Sequence, residues 1–211
     1  MEAHMKVFLY IMAALCGYVV AGMNPAIAIS KAIYHKDIRE CGSGNPGFTN
    51  FRRAFGNKWA FAVLILDLAK SAVVTLLFAW LLSRQGVDFQ FAAAYTGIFC
   101  LLGHAFPFQF KFKGGKGFLV CLSIIFVIDF RVGLIATVLL HILLLITKYM
   151  SVSTVLTLLV CPILLCLFGA SLPVTFMTLA CAMFVFLRHK ENLVRLKNGT
   201  ESKFSFKGNG K

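Results

Sequence analysis

Residues 59–82 read WAFAVLILDLAKSAVVTLLFAWLL, an apolar run interrupted by two charges, Asp67 and Lys70. A helix crossing the hydrocarbon core of a bilayer needs about 20 apolar residues, so this stretch is long enough to span. Its charges stand three residues apart and share one helix face, where each can neutralise the other. Pairing for the stability of the span is the simpler reading of Asp67 and Lys70, and a role toward substrate the other.

The chain on either side repeats the theme. Val7 to Tyr34 is a second long apolar run, and Phe91 to Phe108 a third. Phe118 to Thr147 is interrupted by Asp129 and Arg131. As one helix it would hold both charges near the bilayer centre at about 3 kcal/mol each, so a helical hairpin turning at Asp129-Phe130-Arg131 is expected. Val155 to Leu187 divides at Gly169-Ala170-Ser171-Leu172-Pro173, because Gly and Pro mark a turn and Pro173 suits the first turn of a new helix. The expectation is an all-α integral membrane protein, one polytopic domain over 1–211 with seven transmembrane helices.

Composition agrees. With 59% hydrophobic and 14% charged residues, the chain has too little polar surface to coat a water-soluble globule. Its net charge of +13 sits in short islands between apolar runs, which suits anionic lipid headgroups and small phosphorylated ligands and does not suit nucleic acid. Seventeen of the 21 Lys and Arg fall in 31–58, 104–117, at 148 and in 188–211. The positive-inside rule therefore places the loops 35–58, 103–117, 148–154 and 188–211 in the cytoplasm, with the N-terminus outside and the C-terminus cytoplasmic. Six of the seven cysteines lie in apolar stretches without a CxxC pair, and read as packing residues. Cys41, beside a glycine-rich loop, lacks an evident His partner. No repeat of fixed period is present, which leaves an inverted-repeat transporter with little support.

The loops carry the chemistry. The first is Gly42-Ser43-Gly44-Asn45-Pro46-Gly47-Phe48-Thr49-Asn50-Phe51-Arg52-Arg53. It matches the dinucleotide pattern GxGxxG only formally, since no strand precedes it and no βαβ unit can surround it. Its physics is that of an anion site: glycines turn backbone N–H groups toward a ligand, Ser43, Asn45, Thr49 and Asn50 add hydrogen bonds, and Arg53 adds a planar fork. The second runs from Gly103-His104 through Lys113-Gly114-Gly115-Lys116-Gly117. It is not a Walker A loop, because Phe110 stands where the first Gly belongs, but Gly-Gly-Lys-Gly opening a helix makes an anion cradle. In the third, His189, Asn192 and Arg195 share a helix face.

No His is followed five residues later by Asp, and there is no HExxH, no GxSxG and no carboxylate cluster suited to a metal. Such a phosphate-rich site suggests a substrate that already carries a good leaving group, with the protein binding, orienting and neutralising charge. Neither cofactor nor metal is expected.

Together these three loops resemble bacterial glycerol-3-phosphate acyltransferases of the acyl-phosphate-dependent PlsY type, marked by GSGNxGxTNxxR, GHxFPxxxxFKGGKG and HxxNxxRLxxGxE. All three motifs occur here in order, at 42–53, 103–117 and 189–201. The resemblance implies a seven-span enzyme of the bacterial inner membrane that transfers a fatty acyl group from acyl phosphate to the sn-1 hydroxyl of glycerol 3-phosphate. The products would be lysophosphatidate and phosphate, in the first acylation of phospholipid synthesis.

It assigns catalytic roles to Ser43, Arg53, Lys116, His189 and Asn192. Substrate binding falls to Gly42, Gly44, Asn45, Gly47, Thr49 and Asn50, to His104, Lys113, Gly114, Gly115 and Gly117, and to Ser151 and Thr154. Glu201 would be structural. The partners implied are acyl phosphate, glycerol 3-phosphate, membrane lipids and, as a candidate, an acyl-phosphate synthase. Departures from the pattern, Phe48, Ser71, Leu119-Val120-Cys121 and Lys148, touch packing more than polar groups and bear on substrate preference. The rival is a transporter of organophosphate anions, which should expose its site to both sides of the membrane; a noncatalytic membrane subunit would leave the Ser, Asn and His placements unexplained.

Overall fold

A computed structural model describes residues 2–205, so positions 206–211 of the expected cytoplasmic tail lie outside the described residues. Among these the chain is all-helical: α1 (Glu2–Gly22), α2 (Pro25–Tyr34), α3 (Phe48–Phe55), α4 (Asn57–Ser83), α5 (Phe89–Ala105), α6 (Phe118–Ile128), α7 (Phe130–Thr147), α8 (Met150–Leu167), α9 (Leu172–Arg188) and α10 (Lys190–Lys197).

The first apolar run is not one helix. Asn24 breaks it: its side-chain Oδ1 accepts the Ile27 N–H at 3.0 Å and Pro25 opens α2, an N-cap followed by proline at the first helical position. Nor is 35–58 all loop. It holds a 3₁₀ turn at Ile38–Glu40 and the amphipathic α3, whose Phe51 is fully buried in a small apolar cluster with Ile27, Ile38 and Val63.

The hairpin expected at Asp129 is present. Asp129 ends α6 and caps α7, accepting the Arg131 N–H at 2.9 Å, while the Arg131 guanidinium pairs with its carboxylate at 2.6 Å and lies over the Phe168 ring. Both charges thus sit at an end of the bundle. Gly169 likewise carries the turn before α9, at φ 89°.

Cross-contacts fix the directions. Tyr10 packs on Tyr95 and Tyr18 reaches the Phe106 carbonyl, so α1 and α5 run parallel. Gln90 at the start of α5 binds the Ile128 carbonyl at 3.2 Å, at the far end of α6. The Phe204 N–H donates to the Lys148 carbonyl at 2.7 Å, bringing the tail to the α7–α8 turn. All three motif loops and the Lys148 turn therefore gather at one end, with the N-terminus at the other.

Ala3–Tyr34, Asn57–Ser83, Phe89–Phe110, Phe130–Thr147 and Met150–Leu167 are each long and apolar enough to cross a membrane, and α9 with α10, bent by 51°, adds a sixth candidate. The seventh crossing expected from the sequence rests on α6, whose 11 residues rise only about 16 Å, half a hydrocarbon core. This short helix packs on α4, α5, α7 and α8, whereas α4 and α7 flank it without a packed interface of their own. A cleft is left above it.

Candidate active site

The cleft is a cavity of about 980 Å³ with one polar end. Asn45, Gly47, Thr49, Lys116, Thr154 and His189 line the polar end; Leu68, Ala72 and Leu76 of α4, Leu119, Leu122 and Phe126 of α6, and Leu140 and Leu144 of α7 line the rest. Leu76 of α4 and Phe130 of α7 are largely exposed at its edges, so its flanks face the lipid side of the bundle.

At the polar end Glu201 is the organiser. Its Oε1 accepts from Ser151 Oγ at 2.8 Å and Asn192 Nδ2 at 2.7 Å, and its Oε2 accepts from Arg195 Nε at 2.9 Å. Burial pushes this carboxyl up, but the three hydrogen bonds outweigh burial and hold it below the usual carboxylate range. With its amide nitrogen committed to Glu201, Asn192 turns its Oδ1 toward Lys116, whose ammonium donates to it. Lys116 is thereby aimed at the cavity mouth. Burial foremost, with repulsion from Arg195, brings its ammonium down to about 8.

His189, buried beside this cluster, holds Nδ1 2.8 Å from the Val185 carbonyl. A carbonyl only accepts, so Nδ1 carries the hydrogen and Nε2 keeps its lone pair for the cavity. Thr154 donates to the Ser151 carbonyl at 3.0 Å.

The glycine-rich first loop is built on Asn50. Only 2% exposed, Asn50 accepts the Ser43 N–H at 2.9 Å and donates to the carbonyls of Cys41 at 2.8 Å and Ile38 at 3.4 Å. Its amide is spent on the loop backbone, beneath the loop. Gly42 and Gly44 take φ of 55° and 71° there. Asn45, Gly47 and Thr49 reach the cavity, and Arg53 Nη2 donates to the Ser202 carbonyl at 3.1 Å, joining the first motif to the tail. Ser43, at the loop edge, and Lys113 are both exposed and are not among the residues that line the cavity.

The Gly114-Gly115 pair is a steric necessity. The N–H groups of Gly115 and Gly114 donate to the carbonyls of His104 and Ala105 at 3.1 and 3.2 Å. A Cβ on Gly115 would strike the His104 ring and one on Gly114 the His104 carbonyl. Gly117 turns into α6 at φ 95°.

Several contributors carry no local signal in the sequence. Arg188 Nη2 donates to the Gly115 carbonyl at 3.2 Å and its guanidinium lies over the Phe106 ring. Arg39, paired with Asp37, donates to the Phe110 carbonyl at 3.0 Å and ties the first loop to the second. Lys70, beyond its pairing with Asp67 at 2.9 Å, stands 3.1 Å from His104 Nδ1. Among the described residues no group of His, Cys, Asp and Glu could hold a metal ion.

A cationic, hydrogen-bonding mouth on an apolar cavity inside a helical membrane bundle is the arrangement that suits an amphiphile with an anionic head. The sequence matches the glycerol-3-phosphate acyltransferase family over residues 11–199. Two relatives with that name are similar along nearly their whole length: one from Coxiella burnetii (strain RSA 493 / Nine Mile phase I), 34% identical over 194 residues, covering 92% of this chain and 97% of the relative, and one from Enterococcus faecalis (strain ATCC 700802 / V583), 36% identical over 203 residues, covering 91% and 90%. The fold is similar to the crystal structure of PlsY (YgiH), an integral membrane glycerol 3-phosphate acyltransferase, in its glycerol 3-phosphate form, at TM-score 0.85 and 30% identity over 95% of this chain and 96% of that one. The lysophosphatidic acid form of PlsY gives TM-score 0.83 at 27% identity over 94% and 97%.

The chain belongs to the glycerol-3-phosphate acyltransferase family, of the PlsY type. It is a multi-pass membrane acyltransferase of phospholipid synthesis.

Proposed function

We propose that the chain transfers a fatty acyl group from acyl phosphate to the sn-1 hydroxyl of glycerol 3-phosphate, releasing lysophosphatidate and inorganic phosphate. The observation that carries this is the joining of one cationic mouth, Lys116 with Asn192, Glu201 and Arg195, to one apolar cavity. An acyl phosphate has that division, a tail for the cavity and an anionic head for the mouth, with the reacting carbonyl at the junction.

Acyl phosphate is already activated, which fits a site whose polar groups bind and orient. The acceptor hydroxyl attacks the acyl carbonyl directly, the C–O bond to phosphate breaks, and the proton passes to a phosphate oxygen or to His189 Nε2, which faces the cavity with a free lone pair. Lys116, with Asn45 and Thr49 at the polar end of the cavity, holds the phosphates, and Arg53 fixes the first loop against the tail. Ser43 stands exposed at the loop edge, and Ser151 donates to Glu201, a carboxylate held ionised by three hydrogen bonds and so a weak base, which favours direct transfer over a serine-bound acyl group.

The basic motif end faces the cytoplasm of a bacterial inner membrane, where α6 with α7 makes a hairpin and brings the crossings to seven, and an acyl-phosphate synthase there supplies the donor. One experiment tests the donor: purified protein with glycerol 3-phosphate and either palmitoyl phosphate or palmitoyl-CoA, with lysophosphatidate measured by mass spectrometry. Product from the phosphate alone is expected; equal product from the thioester overturns the reading.

A further inference from the structure

Below the cationic mouth lies a second polar group that the phosphate-binding residues leave unused. His104, at the end of α5, is 4% exposed and lines the cavity. Its Nδ1 stands 3.1 Å from Lys70 Nζ, which also donates to the Met23 carbonyl at 3.1 Å and pairs with Asp67 at 2.9 Å. An ammonium has only hydrogens to give, and the Asp67 carboxylate, 3.8 Å from Nδ1, is beyond hydrogen-bond reach, so Nδ1 is read as the bare nitrogen and Nε2 as carrying the N–H. The Nε2 edge lies against Gly115, next to Lys116, and among the described residues it has no protein acceptor.

Lys70 and Asp67 cancel in charge, so the group offered to the cavity is a neutral donor, polarised from behind by an ammonium and locked by burial. A phosphate is recognised by cations, which this site already supplies at the mouth. A carbonyl oxygen becomes negative only as the hydroxyl attacks, and a fixed neutral N–H at the junction of head and tail stabilises that state more than the ground state.

We infer that His104 Nε2–H is the hydrogen-bond donor to the acyl carbonyl oxygen of the donor substrate, and that Lys70 with Asp67 positions it by holding the ring in this tautomer and orientation. This rests on the proposed acyl-phosphate reading. The intramembrane pair is thus a support for the reacting centre and not a device for span stability alone.

Four proteins in the palmitoyl phosphate assay test it: wild type, Asp67→Asn/Lys70→Met, His104→Phe and His104→Gln. The double variant removes both charges together, so neither is left buried alone, and each protein is first shown to elute as a monodisperse species. His104→Phe is expected to lose roughly a hundredfold or more in kcat. Because glutamine can present an N–H near the Nε2 position, His104→Gln should recover most of that loss; the double variant should fall by about tenfold or more in kcat while KM for glycerol 3-phosphate stays within about threefold. Nitrogen-15 NMR of the wild-type His104 ring should show a protonated Nε2 and a bare Nδ1. The inference is overturned by a folded double variant whose kcat matches wild type, by His104→Gln as inactive as His104→Phe, or by losses confined to KM. Wild-type protein that does not turn over palmitoyl phosphate at all would overturn the donor reading instead, and this inference with it.

Discussion

Ser151 and Glu201, fifty positions apart, share a 2.8 Å hydrogen bond that pins the tail to the start of α8. The same carboxylate oxygen takes the Asn192 amide, and Asn192 in turn aims Lys116. Replacing Glu201 by Ala would leave buried donors on Ser151 and Asn192 without an acceptor, a cost of about 2–3 kcal/mol. Glu201→Ala should lower the thermal midpoint in detergent and reduce activity together, while Glu201→Gln, which keeps one acceptor oxygen, should retain part of both. An unchanged midpoint would remove Glu201 from the role of organiser.

Lys116 sets the alkaline limit of activity. Its ammonium is brought down to about 8, chiefly by burial, so the charged form, which holds phosphate in the proposed reaction, is present below that pH and is lost as pH rises through it. The ratio kcat/KM for glycerol 3-phosphate should therefore fall above about pH 8. Bound phosphate favours the ammonium, so the corresponding limb in kcat should lie higher. A profile of kcat/KM flat from pH 7 to 9.5 would contradict this placement.

Two glycines separate steric need from conformational freedom. Gly115 has the His104 ring where a Cβ would go, whereas Gly199, at φ 70°, faces open space. Gly115→Ala should abolish turnover or folding. Gly199→Ala should cost about 1 kcal/mol of stability for its left-handed backbone and leave kcat near wild type. Equal kcat in the two variants would contradict the packing described.

If the cavity holds the acyl tail as proposed, its wall should discriminate by chain length. Ala72 lines the cavity from α4 between Leu68 and Leu76, and Ala72→Trp would fill part of it. Turnover of palmitoyl phosphate should fall at least about tenfold while a butyryl donor, which does not reach so deep, is spared. Parallel loss with both donors would place the tail elsewhere.

The apolar runs made the membrane class and the hairpin at Asp129 readable, because charge inside lipid is costly and Asp, Arg, Gly and Pro mark where helices stop. The break at Asn24 escaped that reading: a capping Asn followed by Pro is a local signal, but it lies in a run long enough to be taken as one span. α3 escaped because its apolar face, Phe48, Phe51 and Phe55, is diluted by the glycines before it and the arginines within it. At the site, the second and third motifs contain Lys116, Asn192 and Glu201, which one chain of hydrogen bonds joins, and His189, which lines the same cavity. Asn50 was legible as one of the polar residues of the first loop, but its bonds to the Ser43 N–H and the Cys41 carbonyl, which build the loop from beneath, were not. Asp67 and Lys70 were legible as a pair, since three residues separate them, but the approach of Lys70 to His104 across 34 positions is tertiary and leaves no periodic trace.

The most direct test measures phosphate and lysophosphatidate in the same reaction, with purified protein, palmitoyl phosphate and glycerol 3-phosphate, beside a Lys116→Ala variant of verified fold. The expected result is one phosphate per lysophosphatidate, both dependent on the acceptor and both lost in the variant. Phosphate released without acceptor at the same rate, or full turnover in Lys116→Ala, would contradict transfer at this site.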